Sequence, residues 1–350
     1  MTIDPGDSDT AENDVDDPRL TEYAELHGCS CKVGQGDLDE VLAEAGLDGR
    51  DGDLLFGVGE DAAARRLRED LALVQTVDFF TPIADDPYDF GRVAACNAAS
   101  DAFATGATAN VSCLVVLALP RALADVAPSI LAGMVDALAA VDGVVAGGHT
   151  TLNPWPVAGG AVTATARPGQ LLTTRDARAG DRLYLTKPLG TQPAMGALRV
   201  RDGEFGGTVR EAVDRPVGEI GAEALDWMTT PNRDAARVAR EYATAATDVT
   251  GFGLLGEARV LAENSAVGVE ISGLPVIEGT AALSGLFGYG LEDGESAETS
   301  GGLLAAVPPG RVEAFESELA SSGVFHREVG RTTDGEGARL DDPGIEGVRR

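Results

Sequence analysis

The chain has 350 residues, of which 57 are acidic and 27 basic, so its formal net charge is −30. This charge argues against a nucleic-acid partner and against binding to an anionic membrane surface, and no apolar run reaches the ~18 residues of a membrane span. The length and an ordinary hydrophobic content of 44% predict two α/β domains, each with its own core.

The acidity also indicates where the protein works. Residues 1–17 carry seven acidic residues and no basic one, and they lack the basic and apolar regions of a secretory signal. We therefore predict a cytoplasmic protein with a disordered tail over residues 1–20. High acidity with scarce lysine is typical of halophilic proteins, for which molar salt shortens the Debye length to ~3 Å and screens the self-repulsion.

A short loop carries two closely spaced cysteines and one of the chain's two lysines. Cys29, Cys31 and Lys32 lie between Gly28 and Gly34, in a segment that we expect to move. A neighbouring ammonium lowers the pKa of a thiol, so we favour a reactive thiolate. A metal-binding cysteine pair and an inert loop stay open as alternatives.

Helices and strands alternate through the first half. The apolar run 71–77 predicts a strand that delivers Asp78 at its C-terminal end. Residues 90–104 have apolar positions at helical spacing, which puts Asn97 and Asp101 one turn apart on one face. The other predicted elements are helices at 38–45 and 128–138, strands at 111–119 and 157–166, and a short strand that begins at 144.

The short strand runs into a glycine turn, formed by Gly147, Gly148, His149 and Thr150. Backbone N–H groups and a hydroxyl at such a turn favour anion binding. A tight turn with a hydrogen-bonded histidine is the plain alternative.

A composition change at residues 167–169 (Arg-Pro-Gly) predicts a domain boundary. We predict an acidic tail with the Cys/Lys segment over 1–35, an N-terminal domain over 36–167 and a C-terminal domain over 168–350. The second domain is predicted to hold strands at 182–186, 267–271 and 303–307, helices within 218–242 and a helix that ends near 264. Lys187 follows the first of these strands and precedes a turn at 188–190.

Residues 251–256 match G-x-G-x-x-G by letter, and Glu270 lies where a ribose-binding acid would be. The preceding Asp248 argues against a dinucleotide site, because a carboxylate repels pyrophosphate unless a metal ion stands between them. Three interpretations stay open here, namely a metal–phosphate site, a structural glycine turn and a dinucleotide site.

Four aspartates lie beside small residues or at element ends, namely Asp61, Asp78, Asp101 and Asp248. Mg²⁺ prefers carboxylate oxygens and bridges them to substrate phosphates. Most carboxylates in such an acidic chain are solvated surface groups, so sequence position alone is weak evidence that any one of them binds a metal ion. Asp101 is favoured because it lies among apolar residues on a helix face with Asn97.

Taken together, these motifs resemble the selenophosphate synthetase (selenide, water dikinase) family, in the same order from about residue 25 onwards. The motifs are His27-Gly28-Cys29-Ser30-Cys31-Lys32, Gly59-Glu60-Asp61-Ala62-Ala63, Asp78-Phe79-Phe80, Asn97-Ala98-Ala99-Ser100-Asp101, Gly147-Gly148-His149, Thr186-Lys187-Pro188-Leu189-Gly190, Asp248-Val249-Thr250-Gly251-Phe252-Gly253 and Thr299-Ser300-Gly301-Gly302. The glycine turns and aspartates are shared with a wider ATP-using superfamily that includes aminoimidazole ribonucleotide synthetase. The Cys-x-Cys-Lys segment is specific to selenophosphate synthesis.

The resemblance implies the reaction of ATP, selenide and water to selenophosphate, AMP and phosphate. It implies a two-domain α/β (α+β) fold with mixed sheets, a homodimer, and an ATP cleft between strand-end loops and across the dimer. Mg²⁺ and K⁺ are the expected ions, and ATP, selenide and a selenium-delivery protein are the expected partners.

The resemblance also implies roles for individual residues. Cys29 and Lys32 are expected to be catalytic, with Cys31 as a spare thiol. The expected Mg²⁺ ligands are Asp61, Asp101 and Asp248. The expected nucleotide contacts are Lys32, Val58, Gly59, Glu60, Asp78, Asp101, Gly148, His149 and Thr150.

The chain departs from the family pattern at two places. Glu60 replaces an aspartate of the usual Arg-Asp-Asp-Ala-Ala, and residues 296–298 (Ser-Ala-Glu) replace Asp-Pro-Gln. The alternative functions are another ATP-using superfamily member, such as a small-molecule kinase or a dehydratase, and a non-enzymatic selenium carrier.

Overall fold

The computed structural model describes residues 18–33, 35–45 and 53–350. Most of the acidic tail (1–17) and Gly34 lie outside the described residues, so the predicted disorder there stays a prediction. The strands are β1 (Leu54–Phe56), β2 (Ala63–Arg68), β3 (Leu71–Phe80), β4 (Ala109–Leu119), β5 (Val144–Leu152), β6 (Val157–Ala166), β7 (Arg182–Leu185), β8 (Ala245–Asp248), β9 (Gly268–Ile277), β10 (Leu303–Val307), β11 (Arg327–Thr333) and β12 (Gly337–Val348). The α-helices are α1 (Gln35–Glu44), α2 (Pro87–Ala104), α3 (Ala127–Ala139), α4 (Thr191–Val200), α5 (Gly206–Ala212), α6 (Val217–Met228), α7 (Arg233–Tyr242), α8 (Gly253–Ser265), α9 (Thr280–Phe287) and α10 (Val312–Ser321).

The first sheet has the order β1-β2-β3-β6-β4-β5. All of its pairs are antiparallel except β4–β5, which is parallel. Side chains alternate along β3 as a half-buried strand requires, so Asp78 and Phe80 face the core while Val77 and Phe79 are 59% and 51% exposed. One face of this sheet is therefore covered, and the other leaves large apolar side chains in solvent.

The second sheet has the order β12-β9-β11-β7-β10-β8. Its pairs are antiparallel except β12–β9. Both sheets are thus mixed, as expected. The first sheet ends at Ala166 and the second begins at Arg182, on either side of the predicted boundary.

The α2 helix connects the two sheets. It packs on β3 and β6 of the first sheet, and also contacts β8, α6 and α7 of the second domain. Its N-terminus is capped by Asp86, whose side chain accepts a hydrogen bond from the Asp89 N–H. Its other neighbour, α3, approaches so closely that a Cβ on Gly91 would lie 2.0 Å from the Ile130 carbonyl oxygen.

One helical stretch has the composition of a membrane span. Arg121–Ala139, which includes α3, is long and apolar enough to cross a membrane by length and composition alone, with a mean hydropathy of 1.5. Ile130, Met134 and Leu138 of this stretch are buried in the protein core. Because core helices of soluble proteins meet the same criteria, this is weak evidence for a membrane protein.

Most predicted elements are present, with ends shifted by a few residues. The prediction of a glycine turn after residue 146 is wrong. β5 continues through Gly147 and Gly148 to Leu152, because β4 offers it a parallel partner over that whole length. Asp78 also lies within β3 rather than after its end, since β6 pairs with β3 as far as Phe80.

Candidate active site

A cavity of about 240 Å³ lies between the two domains and collects most of the predicted site residues. It is lined by Lys32, Leu38, Leu42, Val58, Gly59, Glu60, Asp61, Asp101, Thr174, Asp248, Thr250, Phe252, Glu257 and Val260. We call it the carboxylate cavity. Residues that are far apart in the sequence meet here because β2, α2 and β8 all end or pass beside it.

Three aspartates reach the cavity from three different elements. Asp61 precedes β2, Asp101 lies on α2 and Asp248 is the last residue of β8. Thr247 donates to Asp61 (2.8 Å) and Thr76 donates to Asp101 (2.6 Å), and the Ser100 hydroxyl acts to lower the pKa of Asp248. The Asp248 Oδ2 atom is buried and has no hydrogen-bond partner among the described residues.

The three carboxylates disfavour one another's ionisation. Burial raises the pKa of Asp61, and the charges of Asp248 and Asp101 raise it further. Burial and the charge of Asp248 likewise raise the pKa of Asp101, and burial raises that of Asp248, although Lys32 opposes both shifts. Such a cluster gains stability from a cation that neutralises it. The oxygen donors and the orphaned Asp248 atom fit Mg²⁺.

The described residues contain no set of three His, Cys, Asp or Glu side chains placed to hold a metal ion by themselves. This agrees with the usual binding of Mg²⁺ in phosphoryl-transfer enzymes, where one or two carboxylates, waters and substrate phosphates share its coordination.

The Cys/Lys segment lies on this cavity. The Lys32 ammonium is 3.2 Å from the Asp78 carboxylate, and its side chain is 32% exposed. Burial lowers the pKa of Lys32, but the acidic groups around it outweigh burial and raise it, namely Cys29, Asp78, Asp101 and Asp248. Lys32 therefore carries a positive charge at neutral pH among the carboxylates.

The surroundings of Cys29 favour the protonated thiol in this conformation, and the thiolate stays a prediction. Cys29 is completely buried, and burial raises the pKa of its thiol more than the charge of Lys32 lowers it. Its Sγ atom donates to the Asn97 Oδ1 atom at 3.3 Å, and Cys29 does not line the carboxylate cavity. The reactive form of this cysteine thus requires a change in its surroundings.

Two glycines let the segment approach so closely. Gly28 has φ = 60°, and a Cβ there would lie 2.2 Å from the Thr299 hydroxyl. A Cβ on Gly251 would lie 2.8 Å from the Cys29 carbonyl oxygen and 3.0 Å from Lys32. The first glycine of the G-x-G-x-x-G match therefore makes room for the Cys/Lys segment.

The dinucleotide alternative for that glycine motif finds no support in the structure. Glu270, the candidate ribose-binding acid, lies on β9 and forms ion pairs with Arg331 (2.8 Å) and Arg339. Its carboxylate is bound within the second sheet, away from Gly251–Gly256.

At both places where the chain departs from the family pattern, a glutamate forms hydrogen bonds with another loop. The Glu60 carboxylate accepts hydrogen bonds from the backbone and hydroxyl of Thr174 (both 2.8 Å) and pairs with Arg175 at 2.5 Å. Glu298 accepts from the backbone N–H groups of Gly190 (2.7 Å) and Thr191 (2.8 Å) at the start of α4. Each carboxylate therefore joins two loops.

Sequence reasoning missed two residues of the site. Glu257 on α8 lines the cavity, and burial together with the charge of Asp248 raises its pKa to about 8. Its position directly after the glycine motif could have marked it as a site residue in the sequence. Asn97 donates to Asp78 (2.7 Å) and accepts from Cys29 and from the Ser300 N–H (2.8 Å). Only its helix-face pairing with Asp101 was visible in the sequence.

Four predicted nucleotide contacts do not line the cavity within one chain. Asp78 is one of them, although it pairs with the lining residue Lys32. Gly148, His149 and Thr150 lie on β5 and are exposed. β5 is an edge strand of the first sheet, and β6 and β4 lie between it and β3, which carries Asp78.

Comparisons with known proteins agree with the fold. The family model described as AIR synthase related protein, N-terminal domain, matches residues 59–166, and that of the C-terminal domain matches residues 178–342. The solved thiamine monophosphate kinase of Aquifex aeolicus has a TM-score of 0.67 at 20% identity, over 89% of this chain and 98% of that one. This likeness shows the two-domain AIR synthase-like fold.

Closer relatives occur among curated proteins. The chain is 41% identical over 321 residues to a selenide, water dikinase of Methanococcus maripaludis, which covers 87% of this chain and 93% of that protein. It is 37% identical to selenide, water dikinase 2 of Homo sapiens, over 87% of this chain and 77% of that protein.

Proposed function

Because the chain belongs to the selenide, water dikinase family, we propose that the carboxylate cavity is where it makes selenophosphate from ATP, selenide and water, releasing AMP and phosphate. The enzyme is an ATP-dependent kinase. The observation that supports this site is the meeting of Lys32 with Asp61, Asp101 and Asp248 in one cavity between the domains. A lysine and metal-binding carboxylates are what phosphoryl transfer needs.

Asp61, Asp101 and Asp248 hold Mg²⁺ together with the phosphates of ATP. When bound, Mg²⁺ neutralises the triphosphate and stabilises charge on the transferred group. The two threonine hydroxyls described above orient Asp61 and Asp101, so these acidic walls are formed before ATP arrives. The expected K⁺ stays a prediction, because we assign no residues to it.

Lys32 supplies a compact positive charge to the departing phosphoryl group. Its neighbour Cys29 lies behind it and is screened from solvent, where a selenium species would be protected from water and oxygen. Opening of the Cys/Lys segment admits ATP, and closure excludes water from the reaction. Cys31 is half-buried and close to the surface, which supports its assignment as the spare thiol.

A second copy of the chain completes the nucleotide site. The uncovered face of the first sheet exposes Val77, Phe79 and Leu114, each more than half exposed, and contiguous apolar surface of this kind is typical of an interface. A two-fold interface over this face brings β5 of the partner towards the cavity, with its Gly148, His149 and Thr150.

Separation of AMP from ADP tests the function directly. We expect AMP to form from ATP only when selenide is present, under anaerobic conditions with Mg²⁺. ADP as the final product, or turnover that is indifferent to selenide, would favour the alternative small-molecule kinase. Absence of any nucleotide turnover would favour the selenium carrier.

Mixed dimers test the shared site. His149→Ala and Asp248→Asn lie on opposite sides of the proposed interface, so a mixture of the two inactive variants should recover activity as exchanged dimers with one intact site. No recovery after demonstrated subunit exchange would contradict the shared site. Cytoplasmic localisation and a selenium-delivery partner remain proposals.

A further inference from the structure

The second lysine has no role in the site described above, yet it is buried. Lys187 lies two residues after the end of β7, is 3% exposed, and donates from Nζ to the Ser300 carbonyl oxygen at 2.7 Å. No carboxylate within the described residues forms an ion pair with it. A buried ammonium is costly unless its charge is compensated, and this one has two N–H donors left without a described partner.

Lys187 lines a second cavity, of about 390 Å³, which we call the Lys187 cavity. None of the residues that line it also lines the carboxylate cavity. Its wall contains a second cation, Arg350, whose guanidinium lies 4.6 Å from the Trp227 ring, and Phe325 packs edge-on against Trp227. Asp234 is the one carboxylate among its lining residues.

The charges around Lys187 leave it ready to bind an anion. Burial lowers its pKa to about 8, and Arg350 lowers it too, whereas Cys96 and Asp248 act in the opposite direction. Lys187 is therefore still mostly protonated at neutral pH. A bound anion would compensate the buried charge and raise this pKa.

A short hydrogen-bonded path joins Lys187 to the candidate catalytic thiol. Lys187 bonds the carbonyl of Ser300, the Ser300 N–H donates to Asn97 Oδ1 at 2.8 Å, and the same oxygen accepts from Cys29. Ser300 has φ = 50°, an unusual conformation for a residue other than glycine. Its buried hydroxyl has no described partner.

The two cavities differ in the ligands that they favour. The carboxylate cavity repels anions that are not carried by Mg²⁺, whereas the Lys187 cavity combines two cations with aromatic walls. Hydrogen selenide at neutral pH is a small, polarisable monoanion. The Lys187 ammonium and the Arg350 guanidinium can compensate its charge, and the Trp227 and Phe325 rings give it apolar contacts.

We propose that the Lys187 cavity binds the selenide substrate as its hydrogen selenide anion, with Ser300 and Asn97 between this subsite and Cys29. The assignment deepens the proposed function and rests on it. It places the anionic substrate in a cavity that shares no lining residue with the carboxylate cavity. It also explains why a lysine lies buried in a chain that otherwise uses arginine.

Lysine-specific NMR tests this assignment without turnover. Because the chain has two lysines, protein labelled with ¹⁵N at lysine Nζ gives two signals, and Lys187→Met identifies one of them. Sulfide serves as the probe, added anaerobically at constant KCl. We expect the Lys187 signal to shift and its pKa to rise by about one unit, equivalent to a tenfold preference of the anion for the charged lysine, while the Lys32 signal stays in place.

Kinetics provide the second readout. Lys187→Met should raise KM for selenide about tenfold or more while MgATP binding, measured separately, is unchanged. Arg182→Gln, on the strand β7 that precedes Lys187, is the matched control, because Arg182 is 45% exposed and pairs with Glu328. It should alter neither quantity.

Two results would overturn the subsite. One is a Lys187 signal that does not respond to sulfide, and the other is an equal or larger response to phosphate or to added chloride. Failure of the proposed function gives a different result. The wild type itself would then form no selenide-dependent AMP, whether or not the Lys187 signal responds to sulfide.

Discussion

Single residues of this site act through shared charge and shared hydrogen bonds. Lys32 lies among several carboxylates and reaches Asp78, which Asn97 also contacts. Asn97 in turn joins Cys29 to Ser300. A substitution at any of these positions therefore changes a charged, hydrogen-bonded group, and its effects on binding and on stability must be measured apart.

Asp248→Asn should abolish Mg²⁺-dependent ATP binding and leave the fold intact. Removing one of three carboxylates that raise one another's pKa relieves repulsion, so the ligand-free variant should melt at the same temperature as the wild type or higher. The wild type should gain about 2.7 kcal/mol of stability at 100 times the Kd of MgATP, and the variant should gain none. Thermal melts with and without MgATP decide this, and an unchanged Mg²⁺ dependence would refute the assignment.

Cys29→Ser and Lys32→Arg should each lower selenide-dependent AMP formation by about 100-fold or more, because a hydroxyl does not replace the thiol and a planar guanidinium does not replace a compact ammonium. Cys31→Ser is the matched control and should stay near wild type. Near-wild-type rates in both Cys29→Ser and Lys32→Arg would mean that this segment is not catalytic.

At the scale of elements, the site is built where loops from both domains meet. The segment 28–32 lies on the turn before α8, and the loop at residues 296–300 holds both the start of α4 and the Asn97 side chain. Glu298 caps α4 in place of the family's glutamine. Burial raises its pKa to about 7, although hydrogen bonds from Thr191 and Gly190 oppose the shift.

Glu298 should make stability depend on pH. Its pKa is about 7 when folded and near 4.3 when unfolded, so the folded state holds the proton more tightly. The contribution of this residue is fully present below about pH 4 and is lost as pH rises towards 7, by up to about 4 kcal/mol. Glu298→Gln should remove that slope.

Melting temperatures between pH 4.5 and 8 measure the effect. The melting temperature of Glu298→Gln should rise relative to that of the wild type as pH increases to 7. Above pH 7 the difference between the two melting temperatures should stay constant. Glu298→Ala removes the acceptor atoms, so it should be destabilised across the range. A constant difference between wild type and Glu298→Gln would show that this carboxylate does not titrate as described.

At the scale of the whole molecule, the net charge of −30 opposes the compact state through self-repulsion. We expect structure and activity to be lost as KCl falls from molar concentrations to about 0.1 M, because the Debye length then grows to ~10 Å. Circular dichroism melts across this range check the expectation, and a matched sucrose series separates charge screening from solvent exclusion. A melting temperature that is indifferent to KCl would contradict it.

The sequence by itself determined the fold class, the family and the residue types at the site. Periodicity and apolar runs located the main strands and helices, including residues 303–307 to the residue, because these patterns are local properties of the chain. Motif order predicted Lys32, Asp61, Asp101 and Asp248 as site residues, and the structure brings these four together in one cavity.

Only the tertiary structure decided what depends on contacts between distant residues. It buried the Cys29 thiol, because Asn97 and Thr299 contact this residue there. It made residues 147–150 part of a strand, since β4 supplied a partner. It also buried Lys187 in a cavity of its own. Burial and pairing are set by where remote segments meet, which local patterns do not encode.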